Sequence, residues 1–273
     1  MSNIIPRIPG DDYDSKLEIP AAFRPMNCDL TITLRVTMWF EDHPTFKGQG
    51  RRPQTRPWTG QEMNAFKVNF QHDVQRFWDK RFWLVPPSDF SALDLPLDRP
   101  THRPNIRCRF RLEVVDTPSQ VRALGKTEKW HAEVRVFQIQ DEEAGDWRSY
   151  ERDHEDRDKG GPYNKLRLTG ADALPREMED DRIQVVAAHE VGHLLTLDHP
   201  VCPGNETRCY GETDQEKDEI MGLGNAVTPR MAKPWIDRIW QHTKTLPGKW
   251  RVMMREVPPR QMMSTSELKS LLE

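Results

Sequence analysis

Three segments of the chain alternate apolar and polar residues, a pattern that predicts β-strands. They cover residues 29–40, 106–114 and 130–136. Alternation of this kind places every second side chain in a core and the others toward solvent. A shorter segment at residues 164–168 is a further strand candidate.

Apolar residues at helical spacing follow the first of these strands. They recur from Met63 to Trp78, and residues 59–62, Thr-Gly-Gln-Glu, form an N-terminal capping box before them. The pattern predicts a long amphipathic helix that continues to about Trp83, with its aromatic residues in the core. Because a strand, a long helix and a second strand follow in order, we expect a right-handed crossover and parallel strand pairs.

Two more helices are predicted further along the chain. The first is expected to begin near Asp180 or Asp181, because acidic side chains stabilise a helix N-terminus. The second follows Pro234, and one more strand is expected within residues 250–257. The buried side of the first helix is expected to consist of Ile183, Val186, Ala187, Val191 and Leu194.

Residues 189–200, His-Glu-Val-Gly-His-Leu-Leu-Thr-Leu-Asp-His-Pro, carry the clearest chemical signal. On a helix, His189 and His193 lie on one face and can bind the same metal ion. Hydrolytic zinc sites have three protein ligands and a water whose pKa falls to about 7, so the adjacent Glu190 could take its proton. His199 can supply the third ligand only if the helix stops before it. The simpler interpretation is that these histidines are ordinary polar positions on an amphipathic helix.

This segment resembles the extended zinc signature of the metzincin metallopeptidases, H-E-x-x-H-x-x-G-x-x-H, and its Leu-Asp-His ending is similar to that of the matrix metalloproteinases. The resemblance implies that His189, His193 and His199 bind zinc and that Glu190 is the general base and acid. The chain has Thr196 where the family has glycine, which adopts most easily the conformation needed to leave the helix. Either the turn is made differently here or some strain is tolerated.

Residues 218–222, Asp-Glu-Ile-Met-Gly, are similar to the Met-turn that metzincins place beneath the zinc ligands. Met221 lies 22 residues after His199, and no tyrosine stands two residues after Met221, so a tyrosine ligand is not expected. The resemblance implies that residues 223–227 form a wall of the main specificity pocket. It also implies that the strand at 164–168 is the antiparallel edge strand, along which an extended substrate pairs.

The fold implied by the resemblance is α/β, of the α+β metzincin type. A twisted mixed sheet with two long helices would form the upper lobe, and a small irregular lower lobe would end in a C-terminal helix. We expect an N-terminal arm at residues 1–27, the catalytic domain at 28–242 and a C-terminal extension at 243–273. The implied activity is that of a monomeric zinc endopeptidase that hydrolyses peptide bonds in protein or peptide substrates.

Two alternatives stay open at this point. A gluzincin-like peptidase would use His189 and His193 with a later glutamate, Glu212, Glu216 or Glu219, as third ligand. A zinc-stabilised binding or toxin module without turnover belongs to a different class. It is suggested by Thr196 and by the terminal extensions.

The composition narrows the classes of protein that fit the chain. Its 273 residues are 36% hydrophobic and 30% charged, with a formal net charge of -3. This balance gives no reason to expect nucleic acid or an anionic membrane as a partner. The N-terminus lacks the basic start and apolar run of a signal peptide, and no run of about 18 apolar residues occurs. We therefore expect a soluble protein, cytoplasmic or exported by a non-Sec route.

Three weaker features remain. Cys202 and Cys209 flank a short loop after the zinc motif and would either form a disulfide or stay reduced. His154 lies in the acidic segment 141–161, which would bind a structural calcium ion or a second zinc, or remain a solvated run of charges. Residues 10–12, Gly-Asp-Asp, resemble the segment whose aspartate blocks the zinc in astacins, although Gly-Asp is also an ordinary turn.

Overall fold

The computed structural model describes residues 3–4, 7–19, 28–42, 54–87, 105–115, 130–140, 149–152, 164–200 and 210–257. Their elements form a mixed α/β fold, as predicted. The helices are α1 Gly60–Trp78, α2 Val186–Leu194, α3 Asp214–Asp218 and α4 Lys233–Thr243. The strands are β1 Asn3–Ile4, β2 Asp14–Ile19, β3 Cys28–Glu41, β4 Thr55–Arg56, β5 Trp83–Val85, β6 Ile106–Val115, β7 Ala132–Ile139, β8 Ser149–Arg152, β9 Asn164–Thr169, β10 Pro175–Glu177, β11 Ile183–Val185 and β12 Arg251–Met253.

The large sheet is built around β3, the longest strand, in the order β12-β5-β6-β3-β7-β9-β8. The predicted parallel pairs are confirmed, because β3 runs parallel to both β6 and β7, and β7 runs parallel to β9. The first half of β3 also pairs with β2, which runs antiparallel. The N-terminal segment is thus a strand of the sheet, and Leu17 within it is fully buried.

The position of β9 corrects one expectation. Residues 164–168 were expected to form the antiparallel edge strand, but β9 is parallel to β7 and has another strand, β8, on its outer side. It is β8 that runs antiparallel, and it ends the sheet in the described part of the chain. The short segment that forms β8 carries no alternating pattern, so its pairing was not visible in the sequence.

Helix α1 begins as predicted and ends earlier. Thr59 and Glu62 form the predicted capping box. The helix stops at Trp78 and not near Trp83, because Lys80 adopts a left-handed φ of 61°. The next apolar residues form β5, which pairs with β6 and β12, so they gain ladder hydrogen bonds in place of helical ones.

Helix α2 begins at Val186, so the start predicted at Asp180 or Asp181 is wrong. Both aspartates have left-handed φ values, 58° and 57°, in the turn of a small hairpin that joins β10 to β11. Pairing in this hairpin keeps residues 183–185 extended, and Ile183 is consequently exposed. The other predicted core positions of the helix, Val186, Ala187, Val191 and Leu194, are buried as expected.

Two buried tryptophans join the helices to other parts of the core. The indole Nε1 of Trp78, at the end of α1, donates to the carbonyl oxygen of Ala188 at 3.1 Å. Helix α4 begins at Lys233, one residue before the predicted start, with Pro234 in its first turn. Trp235 within it is buried and donates to the carbonyl oxygen of Arg109 at 2.9 Å. The first bond therefore joins α2 to α1, and the second joins α4 to β6.

The remaining predictions concern the C-terminal strand, the cysteine pair, His154 and membrane-spanning segments. The expected C-terminal strand is present as β12 and is shorter than residues 250–257. Cys202, Cys209 and His154 lie outside the described residues. In the part of the chain that the structure describes, no helix is long and apolar enough to cross a bilayer.

Candidate metal centre

Three imidazole rings meet beside α2. Nε2 of His199 lies 3.1 Å from Nε2 of His193 and 3.2 Å from Nε2 of His189. Two nitrogens bound to one tetrahedral zinc, each about 2.0–2.1 Å from the metal, are about 3.3–3.4 Å apart. The three predicted ligands therefore converge at nearly the spacing that a metal ion requires, and the group is able to hold one.

Backbone carbonyls orient two of the rings. Nδ1 of His193 donates to the carbonyl oxygen of Leu197 at 2.9 Å, and Nδ1 of His189 donates to that of Ile220 at 2.6 Å. With the proton held on Nδ1, Nε2 presents its lone pair to the common point. This arrangement is the one that metal-binding histidines use.

The protonation state also suits a metal. Burial lowers the pKa of His193. Burial and the neighbouring charge of His193 lower the pKa of His199 to about 4. These imidazoles are therefore neutral near pH 7, which is the form that binds a cation.

Thr196 adopts the left-handed conformation, with φ 64°, so the chain makes the glycine-type turn and the strain is tolerated. The amide of Leu197 donates to the carbonyl of Gly192 at 3.0 Å, and the amide of Thr196 donates to that of His193 at 2.9 Å. These two bonds form a Schellman motif, which ends the helix. The turn brings the Leu197 carbonyl to His193 and sends the chain back, so that His199 reaches the site.

A tight turn at residues 219–226 lies under the histidines. The amide of Ile220 donates to the carbonyl of Ala226 at 2.8 Å, while the Ile220 carbonyl holds His189. Met221 is fully buried, and its sulfur lies against Gly192 so closely that a Cβ there would overlap it. The turn thus supports α2 from below at a residue without a side chain.

Two neighbours of the centre were not predicted. The buried amide of Gln184, in β11, donates to the carbonyls of Ile220 at 3.1 Å and Gly222 at 2.9 Å, and so ties the hairpin to the turn. The ring of Tyr210 lies 4.8 Å from the ring of His199, centroid to centroid. The sequence predicts that Gln184 lies within the helix that carries the histidines, so its contact with the turn was not expected. No local pattern distinguishes Tyr210.

The remaining candidates have other contacts. Glu190 follows His189 on α2 and is 9% exposed. The carboxylate of Glu219 accepts hydrogen bonds from Thr228 at 2.9 Å and from Arg230 at 2.6 Å. The carboxylate of Asp12 accepts from the side chain of Asn164 at 2.9 Å. Glu216 caps α3 through Thr213, and Glu212 is exposed.

Substitution of Gly192 by alanine should weaken metal binding up to about 10-fold, because the buried Met221 side chain, and with it the turn at Ile220, must shift to make room for the new Cβ. The displacement lengthens the bond from His189 to Ile220. Zinc affinity measured by chelator competition checks this result. Gly60→Ala is the control, since no atom lies within 4 Å of a Cβ there, and it should bind zinc like the wild type. Equal affinity in both variants would contradict the packing argument.

The geometry of the histidine group defines which metal ions the centre suits. Three imidazoles converge, the buried residue Glu190 directly follows the first of them in the chain, and two turns bind His189 and His193 through backbone carbonyls. The donor set fits a divalent transition metal bound by neutral imidazoles. Comparison of the chain with protein-family models, with curated proteins and with solved structures found no match in any of the three.

Proposed function

We propose that the protein is a zinc-dependent endopeptidase of the metzincin type. The observation that carries the proposal is the convergence of the Nε2 atoms of His189, His193 and His199, with spacings of 3.1 and 3.2 Å. Three histidine ligands leave one position of a tetrahedral zinc open, as catalytic sites do. The turn that contains Met221 supports the proposal, since it underlies the ligands as a Met-turn would.

The residues of the chain have separate roles in this proposal. His189, His193 and His199 hold zinc, which when bound polarises a carbonyl and makes water more acidic. Glu190 takes a proton from the attacking water and passes it to the leaving amine. Its burial beside the metal site strengthens its electrostatic interactions with the reacting groups.

The contacts of the later glutamates favour His199 as third ligand over the gluzincin-like alternative. Glu219 is bound by Thr228 and Arg230, and Glu216 is bound by the capping box of α3. A glutamate would have to give up these bonds to reach the metal. His199 already lies within 3.2 Å of both other ligand atoms.

Strand β8 is the proposed platform for the substrate. It ends the sheet in the described part of the chain and contacts α2. An extended peptide can pair with such an edge through backbone hydrogen bonds, with little dependence on its sequence. We propose Leu223 and Val227, on the chain that leaves the turn, as part of the pocket that selects one substrate side chain.

Metal removal tests the proposed function. The purified protein should contain about one zinc per chain, and it should cleave members of a broad peptide library at internal bonds. A chelator should abolish cleavage, and added zinc should restore it. The measurements are elemental analysis and mass spectrometry of the digests. A protein that contains zinc but cleaves no peptide of the library would favour the zinc-stabilised binding module over the peptidase. A protein that contains no zinc would refute both hypotheses.

A further inference from the structure

One arginine joins two backbone segments of the metal centre. Nε of Arg230 donates to the carboxylate of Glu219 at 2.6 Å, and Nη1 donates to the carbonyl oxygen of Asp198 at 3.3 Å. Glu219 directly precedes Ile220, and Asp198 directly precedes His199. The guanidinium therefore links the turn beneath the centre to the chain that leaves α2.

The Glu219 end of this link belongs to a tightly bonded turn. Glu219 is only 6% exposed, and Oγ1 of Thr228 donates to its other carboxylate oxygen at 2.9 Å. The backbone carbonyl of Glu219 accepts from the amide of Gly222 at 2.9 Å. The next carbonyl, that of Ile220, accepts from Nδ1 of His189 at 2.6 Å. The link is thereby attached to the support of one ligand.

The Asp198 end acts on the chain that carries His199. Residues 197–200 belong to no helix or strand, so no regular ladder of hydrogen bonds holds them. Because a peptide unit is planar, the contact to the Asp198 carbonyl restricts the plane that also contains Cα of His199. The preceding carbonyl, that of Leu197, lies 2.9 Å from Nδ1 of His193. Two successive carbonyls therefore serve two different ligands.

Arg230 is itself held in place by its neighbours in the chain. It lies in the 3₁₀-helix Pro229–Ala232, and Met231 and Ala232 are fully buried. Its Nε and Nη2 both contact the Glu219 carboxylate, while Nη1 reaches the carbonyl of the other segment. A planar fork can bind two acceptors in this way, whereas a lysine carries its charge on one atom. The side chain is 40% exposed, so its substitution should leave the core intact.

We propose that Arg230 is a positioning residue of the metal centre, which holds His199 at the correct distance from His189. The contacts form a closed path. It runs from His189 through the turn and Glu219 to Arg230, and from there through Asp198 to His199. The path closes where the Nε2 atoms of the two histidines lie 3.2 Å apart. The inference rests on the ligand set of the proposed function and not on peptide cleavage.

Zinc affinity, measured by chelator competition, tests the inference. Arg230→Met removes both contacts and should weaken affinity about 10-fold to 100-fold, as loss of a partner that orients a ligand usually does. Arg230→Lys should also weaken affinity about 10-fold or more, because it keeps the charge but not the fork that joins the two segments.

The control is Arg182→Lys, which makes the same substitution beside the same turn. The guanidinium of Arg182 donates to the carboxylates of Asp218 at 2.8 Å and Asp214 at 3.2 Å, and neither residue adjoins a ligand. We expect this variant to bind zinc like the wild type.

Cobalt substitution separates positioning from stability. Co²⁺ bound by three imidazoles and a water is tetrahedral and absorbs visible light strongly, whereas exchange of an imidazole for water raises the coordination number and weakens the absorption. The cobalt form of Arg230→Met should therefore absorb less than that of the wild type, and the cobalt form of Arg182→Lys should not. Circular dichroism shows whether each variant is folded. A purely structural role would lower the free energy of unfolding and leave the spectrum of the folded protein unchanged.

Three results would overturn the inference. Wild-type affinity and spectrum in folded Arg230→Met would show that the link is not needed. Wild-type affinity in Arg230→Lys would show that charge alone is sufficient, and this variant also preserves the test if Arg230→Met does not fold. An equal loss in Arg182→Lys would assign the effect to a general loosening of the turn.

The outcome is distinguishable from failure of the proposed function. A wild-type chain that binds neither zinc nor cobalt would refute the metal centre and this inference together. A chain that binds zinc but cleaves no peptide would refute the peptidase alone.

Discussion

Replacement of Glu190 by alanine is expected to lower peptide cleavage at least about 100-fold while the protein keeps its zinc. The carboxylate follows a ligand on α2 and is nearly buried, so bulk water does not replace it readily as a proton acceptor. The imidazoles of His189 and His193 are held by the carbonyls of Ile220 and Leu197, and these contacts do not involve Glu190. Library digestion and elemental analysis of the same preparation measure both quantities.

The matched control for this experiment is Asp198→Asn. Asp198 directly precedes the proposed ligand His199, as Glu190 directly follows His189. Its substitution makes the same change of charge, but its side chain is exposed. We expect that variant to cleave peptides at close to the wild-type rate. Undiminished cleavage by Glu190→Ala would exclude the role assigned to the glutamate. An equal loss in Asp198→Asn would attribute the effect to charge near the site.

Features that depend on near neighbours in the chain were readable from the sequence. The spacing of His189 and His193 needs only a helix between them, and the capping box at Thr59 is a contact between residues three apart. The alternating strands β3 and β6 were visible for the same reason, since one buried face imposes a period of two. The conformation of Thr196 was left open, and the structure resolves it as a strained turn.

Features that depend on distant partners were not readable. The ends of α1 and α2 were misplaced because β5 and β11 obtain their hydrogen bonds from other strands. Nothing local distinguishes such segments from a helical turn. The placement of β9 inside the sheet was missed because β8, its outer partner, is short.

The residues that hold the elements of the metal centre in place also depend on partners that are distant in the chain. Gln184 donates to the carbonyl oxygens of residues 220 and 222, and the indole of Trp78 donates to the carbonyl oxygen of Ala188, in each case to residues far along the chain. Neither residue type signals such a contact by itself. The three histidines could thus be proposed as ligands from their spacing in the sequence, whereas the residues that orient them required the fold.

The N-terminal strand is anchored by a buried group of charges. Asp14, Arg35 and His131 are each at most 2% exposed. Nη1 of Arg35 donates to the Asp14 carboxylate at 2.6 Å, and Nε2 of His131 lies 3.4 Å from it. Burial raises the pKa of Asp14, but His131, Arg7 and the amide of Gly10 lower it by more, so the pKa lies below its usual value.

Substitution of Asp14 by alanine is expected to reduce the free energy of unfolding by about 3 kcal/mol, because it leaves the buried Arg35 guanidinium with only Glu113, whose partly exposed carboxylate lies 3.8 Å from Nε. This is a large part of the about 5–15 kcal/mol of a typical protein. Urea denaturation followed by circular dichroism measures it. The control is Lys16→Ala on the same strand, whose pair with Glu18, at 2.7 Å, is partly exposed. That substitution should cost less than about 1 kcal/mol.

The depressed pKa of Asp14 predicts how this contribution varies with pH. A carboxylate whose folded pKa is lowered contributes stability above its unfolded value of about 3.9, and the contribution disappears as the pH falls through the folded value. The difference in unfolding free energy between wild type and Asp14→Ala should therefore shrink in acid. A difference that is small at pH 7, or that grows on acidification, would contradict the assigned charge state.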